Sequence, residues 1–142
     1  MIHEKIIRFK GTVIITNKTT NERRIFKNVI CNKFYDMIAD FFVGTSPNKL
    51  SHLGIGTGTT PALPTDTTLQ TEVSRVAITT TATSGSQIHM QTEIDGGTAL
   101  FNWKELGIFN ASSGGDMTNR VNIDYTHNAG DLVTVDWYLD KV

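Results

Sequence analysis

Residues 133–140 read Val133-Thr134-Val135-Asp136-Trp137-Tyr138-Leu139-Asp140, with Val133, Val135, Trp137 and Leu139 alternating against Thr134, Asp136, Tyr138 and Asp140. A period of two sends alternate side chains to opposite faces of a strand, so this stretch is half-buried β-structure with one face toward a core. The same signature recurs upstream. Val121, Ile123 and Tyr125 oppose Asn122 and Asp124, and Ile88, Met90, Thr92 and Ile94 oppose Gln87, His89, Gln91 and Glu93. With residues 75–83 and 103–109 this makes five half-buried strands. Ser84-Gly85-Ser86, Asp95-Gly96-Gly97, Ser112-Ser113-Gly114-Gly115-Asp116 and Asn128-Ala129-Gly130-Asp131 supply the turns between strands. None of these links has room for a crossover helix, so the neighbours are expected to be antiparallel.

Further outward, residues 5–16 (Lys-Ile-Ile-Arg-Phe-Lys-Gly-Thr-Val-Ile-Ile-Thr) are rich in β-branched side chains, residues 17–21 break the run, and residues 24–30 resume it. This predicts a hairpin, with Gly11 as a bulge or a point of close approach. Phe34, Met37, Ile38, Phe41 and Phe42 then fall three and four apart, which is one face of an amphipathic helix. Asn32 is its expected N-cap and Gly44 its stop, and the aromatic stripe is expected to be core. Residues 44–68 read as loop, with a short helical turn at Thr65–Leu69. The expected fold is mainly β: an antiparallel β-sandwich preceded by an N-terminal β-hairpin and one amphipathic α-helix. Residues 1–142 form a single domain, divided as hairpin 1–31, helix 32–43 and sandwich 44–142.

Composition agrees with strands and turns. The 142 residues include 21 Thr, 12 Gly and 10 Asn, against only 19% charged residues. A net charge of −1, with the basic residues scattered, argues against holding nucleic acid through a basic face. Cys31 is the single cysteine, which excludes an internal disulfide framework and a thiolate-rich metal site. No stretch approaches 18 apolar residues and the N-terminus lacks a signal-peptide core, so neither membrane insertion nor export by a cleaved signal is expected.

Few residues invite chemistry. Gly54, Gly56 and Gly58 lack the Gly-x-Gly-x-x-Gly spacing and following helix of a dinucleotide loop, and no Gly-Lys-Ser/Thr follows. They fit a short strand that another backbone approaches closely. His3, His52, His89 and His127 sit on separate elements without ligand spacing, and Asp124, His127 and Asp131 lack the dense acidic pattern of a calcium loop. No nucleophile turn is present, and Glu72, Glu93 and Glu105 are not placed as a carboxylate pair. No catalytic, cofactor-binding or metal-binding residue is expected.

The series Gly54-x-Gly56-x-Gly58-Thr59-Thr60, Pro64-Thr65-Asp66-Thr67-x-Leu69-x-x-Glu72-x-x-Arg75, Trp103-x-Glu105-x-Gly107-Ile108-Phe109-Asn110 and Gly115-x-Met117-x-x-Arg120 resembles virion proteins of tailed bacteriophages, of the tail-collar-fibre and tail-fibre type. Asn28-Val29-Ile30-x-Asn32 leading into a helix is similar to the start of such proteins. The resemblance implies a non-enzymatic structural protein, present in many copies in the virion and assembled in the host cytoplasm. Against a long fibre stands the length of 142 residues, which favours a collar, baseplate or capsid-decoration component. A host-surface module that binds carbohydrate is the alternative.

Two further expectations concern particular side chains. Trp103, Phe109, Leu69, Val135 and Trp137 are expected to anchor the core. Glu105, an acid among apolar strand residues, is expected to pair with Arg75 or Arg120 and so fix strand register. Ile6, Ile7, Val13, Ile14 and Ile15 exceed what a two-stranded ribbon can bury, which marks the hairpin as an assembly arm for a homo-oligomer, a trimer or a ring, or for other virion proteins.

Overall fold

The computed structural model describes residues 8–45 and 47–142. Among the described residues, β-branched and aromatic side chains suited to a pleated, half-buried surface form nine strands and one helix. These are β1 (Phe9–Asn17), β2 (Arg23–Ile30), α1 (Asn32–Phe42), β3 (His52–Gly56), β4 (Glu72–Ala77), β5 (Thr80–Ser84), β6 (Gln87–Ile94), β7 (Asn102–Phe109), β8 (Met117–Thr126) and β9 (Val133–Lys141). The strands pair antiparallel in the order β4-β3-β7-β8-β2-β1-β9-β6-β5. The fold is therefore mainly β and antiparallel, as the alternation implied, but the two walls belong to one curled sheet.

Two crossings curl it. β2 pairs with β1 through Arg23–Asn28 and then with β8 at Val29 and Ile30, so it passes from one wall to the other. On the opposite side, β4 and β5 lie at the two ends of the sheet yet are separated only by Ile78 and Thr79. The Ile78 N–H donates to the Ser51 carbonyl at 2.9 Å and the Thr79 N–H to the Gln91 carbonyl at 2.8 Å, so one bent run of chain leaves the first strand of the order and enters the last. The single strand expected over residues 75–83 is this bent run.

Between the walls lie Val13, Ile15, Met90, Ile94, Val133, Val135, Trp137 and Leu139 from one side and Leu53, Ile55, Trp103, Leu106, Ile108, Val121, Ile123 and Tyr125 from the other, with Phe34 of α1. Each large side chain removed from water contributes roughly 1.5–3 kcal/mol.

The hairpin departs from expectation. It is not an arm ahead of the body but the middle of the sheet, because β1 has a second partner in β9. Val13 faces Trp137 and Ile15 faces Val135 across that pairing, and both are fully buried. Their apolar surface is used inside the chain and is not available for assembly. Ile14 points to the outer face beside Ile25 of β2 and is half-buried, while Ile6 and Ile7 lie outside the described residues.

The N-cap of α1 falls one residue earlier than expected. Cys31 is the N-cap, with no side-chain cap bond, and Asn32 is the first helical residue. Backbone carbonyls take three of the first amides instead: the Cys31 N–H donates to Thr118, the Asn32 N–H to Pro64 and the Phe34 N–H to Cys31. Gly44 ends the helix at φ +78°, as expected. Only the first part of the stripe is core: Phe34 and Met37 are buried, whereas Phe41 and Phe42 of the last turn are exposed. Residues 65–69 form no helical turn. Asp66 instead closes a tight turn on itself, its N–H bonded to the Leu63 carbonyl and its carboxylate accepting the Leu63 N–H at 2.8 Å.

Gly11 is a point of close approach. The side chain of Asn28, its cross-strand partner on β2, occupies the space a β-carbon would take, and from there its Nδ2 donates to Asn119 Oδ1 at 3.0 Å. Gly11→Ala is therefore expected to destabilise the fold by about 1–3 kcal/mol, as an overpacked site does. Thermal melts of Gly11→Ala, Asn28→Ala and the double variant check this, and the double variant should recover part of the loss.

Candidate functional site

Gly54, Gly56, Arg75, Glu105, Gly107, Phe109 and Arg120 of the motif series come together on the outer face of the wall formed by β4, β3, β7 and β8, while Trp103 and Ile108 of the same series face the interior, and strand register explains why. Arg75, Gly54, Gly107 and Arg120 are successive partners across the four strands. The next row is Glu72, Gly56, Glu105 and Asn122. The register of β7 against β8 shifts between Trp103 and Glu105, where the step from Trp103 to Glu105 lies opposite the longer step from Tyr125 to Asn122, so the extra residue is on β8. Alternation along β7 breaks at this irregularity. Trp103, Leu106 and Ile108 point into the main core, while Glu105, Gly107 and Phe109 share the outer face.

Glycine at two central positions makes this face a trough. A β-carbon on Gly54 would lie 2.6 Å from the Phe109 ring, and one on Gly107 would lie 2.9 Å from Met117 Sδ and 3.0 Å from Leu69. Leu69 lies over both glycines and forms, with Phe109, Met117 and Cys31, a second small core on this side of the wall. Leu69 and Phe109 thus anchor this outer core and not the interior, while Trp103, Val135 and Trp137 hold the interior as expected.

Leu69 is delivered by the loop of residues 57–71, which Glu105 ties down. Glu105 is 0% exposed and its two oxygens are filled. Oε2 accepts the backbone N–H of Gly58 and of Thr71, each at 2.8 Å, and Oε1 accepts that of Gln70 at 2.8 Å and Arg120 Nε at 3.1 Å. Arg120, 1% exposed, also donates Nη1 to Asp66 Oδ2 at 2.9 Å and Nη2 to the Thr60 carbonyl at 2.9 Å. Of the two partners expected for Glu105, Arg120 is the one found. Both charges are matched and hydrogen-bonded, the condition under which buried ions are tolerated.

Arg75 serves a separate lock. It forms a two-pronged pair with Glu72, at 2.6 and 2.7 Å, donates Nη1 to the Ala111 and Gly114 carbonyls, and places its guanidinium 3.6 Å from the centre of the Phe109 ring. It therefore fastens the turn after β7 to the edge strand β4.

The arrangement latches a loop and leaves Glu105 no free oxygen for proton transfer. Burial, reinforced by the charge of Asp66, pushes the Cys31 thiol beneath it up to about 12 from 9.0, so it is a neutral packing group. Asp66 and Thr60 stand within the motif series, whereas Gln70 and Thr71 hold Glu105 through backbone amides, which carry no sequence signal.

The histidines stay apart. His52 Nδ1 meets Ser51 Oγ at 2.8 Å, His89 Nε2 meets Asp136 Oδ1 at 2.7 Å, and buried His127 spans the Thr98 and Asp131 carbonyls; His3 is outside the described residues. Among the described residues no three His, Cys, Asp or Glu side chains are grouped to hold a metal. Comparison of the chain with protein-family models, with curated proteins and with solved structures gives no match.

Two outcomes follow from the latch. Glu105→Ala should cost about 3–5 kcal/mol, because it leaves Arg120 buried without its main partner, whereas Glu72→Ala, which breaks a part-exposed pair, should cost about 1 kcal/mol or less. Urea unfolding of the two variants separates them. The Cys31 thiol stays protonated in the fold but ionises near its ordinary value once unfolded, so its contribution to stability is complete below about pH 9 and is lost as pH rises toward 12. Its alkylation at mildly alkaline pH should be much slower in the native protein than in urea.

Proposed function

We propose that the chain is a non-enzymatic structural protein of a tailed-phage virion. It assembles as a homo-oligomer in the host cytoplasm, and one face attaches to the tail, collar, baseplate or capsid surface. The observation that carries this reading is the coincidence of signature and latch. Gly58, Thr60, Asp66, Leu69, Glu105 and Arg120, six of the residues through which the chain resembles virion proteins, hold the 57–71 loop onto the sheet, so that part of the resemblance follows a structural device and not an isolated string of glycines. A domain whose outer loop is fastened by a filled carboxylate and whose sheet curls until its ends meet suits a particle component that must hold one shape.

A host-glycan reading has one observation in its favour. On the outer face of β6 and β9, Tyr138 stacks on His89 at 4.3 Å, and Asp136 accepts from Gln91 Nε2 at 2.9 Å beside them. Rings next to hydrogen-bonding groups are what a sugar requires. Retention on a glycan array that disappears in Tyr138→Ala would favour that reading.

Immunogold labelling with an antibody raised against the folded chain tests the virion reading. Label at a fixed position on intact tailed particles is the expected result. Label confined to unassembled protein in the lysate would overturn it.

A further inference from the structure

The last turn of α1 borders an apolar groove of about 280 Å³, walled by Met37, Ile38 and Phe41 on the helix and by Leu50, Ile88 and Met90 opposite. Beside the groove, three consecutive apolar residues stand in water: Phe41 is 51% exposed, Phe42 87% and Val43 78%. Phe42 follows Ile38 by one helical turn, so knob and groove form one continuous apolar surface. The far rim is Thr81 of β5, a strand that among the described residues pairs only with β6. An apolar patch of this kind on a folded chain marks an interaction surface.

We propose that this face binds a second copy of the chain about a two-fold axis, with Phe42 of each copy seated in the groove of the other. Three features of the surface select that occupant. Knob and groove are adjacent on one face, and a two-fold axis is the operation that satisfies both at once. The groove is large enough for an aromatic ring, since an apolar cavity of roughly 150 Å³ already accepts benzene. Its charges are also complementary. Asp36 and Asp40 line α1 and Lys49 lines the groove, none of them in an ion pair among the described residues, and antiparallel helices bring Asp40 toward Lys49 of the partner copy. Each buried aromatic supplies roughly 150–250 Å², so Phe41 and Phe42 with the groove lining provide the apolar centre of the ~800 Å² per partner found in stable dimers.

The pairing deepens the self-assembly part of the proposed function and rests on that part alone. Particles labelled by a protein that never dimerises would sink the pairing only, and a dimer that labels no particle would sink the virion placement only.

Sedimentation velocity over a concentration series tests it, with full-length chains throughout. The parent should show a concentration-dependent dimer. Phe42→Gln, which removes the knob, and Thr81→Arg, which obstructs the groove from an exposed position, should each raise the dimer dissociation constant tenfold or more while far-UV circular dichroism and melting temperature stay at the parent values. A parent that is monomeric throughout, or a dimer that both variants leave intact, overturns the proposal. So does a dimer that appears only in Ile6→Ser/Ile7→Ser, which would assign the groove to the chain's own N-terminal residues.

Discussion

A carboxylate and a guanidinium taken out of water together, Glu105 on β7 and Arg120 on β8, are the interaction on which the outer half of the molecule depends. Removing each ion from water costs several kcal/mol, and their mutual attraction offsets that only when the remaining hydrogen-bonding positions are filled. Here the loop fills them. Three backbone amides from Gly58, Gln70 and Thr71 converge on Glu105, and Arg120 reaches Asp66 and Thr60. Satisfying the pair therefore requires the loop to lie in one conformation. An apolar pair of the same size would need no such convergence and would leave the loop free.

The consequence extends through the sheet. Residues 57–71 connect β3 to β4, so fixing the loop fixes where β4 begins, and β4 continues through Ile78 and Thr79 into β5 at the other end of the strand order. Leu69, carried by the same loop, seals the glycine trough with Phe109 and Met117, and Cys31 beneath it is the N-cap of α1. One buried pair thus ties the loop, the curling of the sheet and the start of the helix together. The exposed end of that helix is where the molecule turns outward, toward the second copy proposed above.

Much of this was legible in the chain, and the part that was not has a physical cause. Strand existence and direction followed from the period of two and from turn residues, which are local properties. Which strand lies beside which is a long-range matter. In sequence Val13 and Ile15 look like surplus apolar surface because their partner, β9, lies more than a hundred residues away. The register shift between β7 and β8 likewise has no local mark: a period of two puts Phe109 on the face of Trp103, and the shift sends the two to opposite faces. The charge pair was legible in type because an acid among apolar strand residues needs a partner. The choice of Arg120 over Arg75 was not, since it depends on Arg120 lying on the strand next to Glu105 while Arg75 lies two strands away, beside Glu72 and Phe109.

Native-state hydrogen exchange tests the central claim most directly. Gln70 and Thr71 are exposed residues in a loop, and the Glu105 carboxylate is the acceptor that shields their amides. If the buried pair fixes the loop, the amides of Gly58, Gln70 and Thr71 exchange as slowly as those of Leu106 and Ile108 in β7, because both sets open only when the wall opens. Exchange of the three at the rate of a free loop, with β7 still protected, would contradict the account.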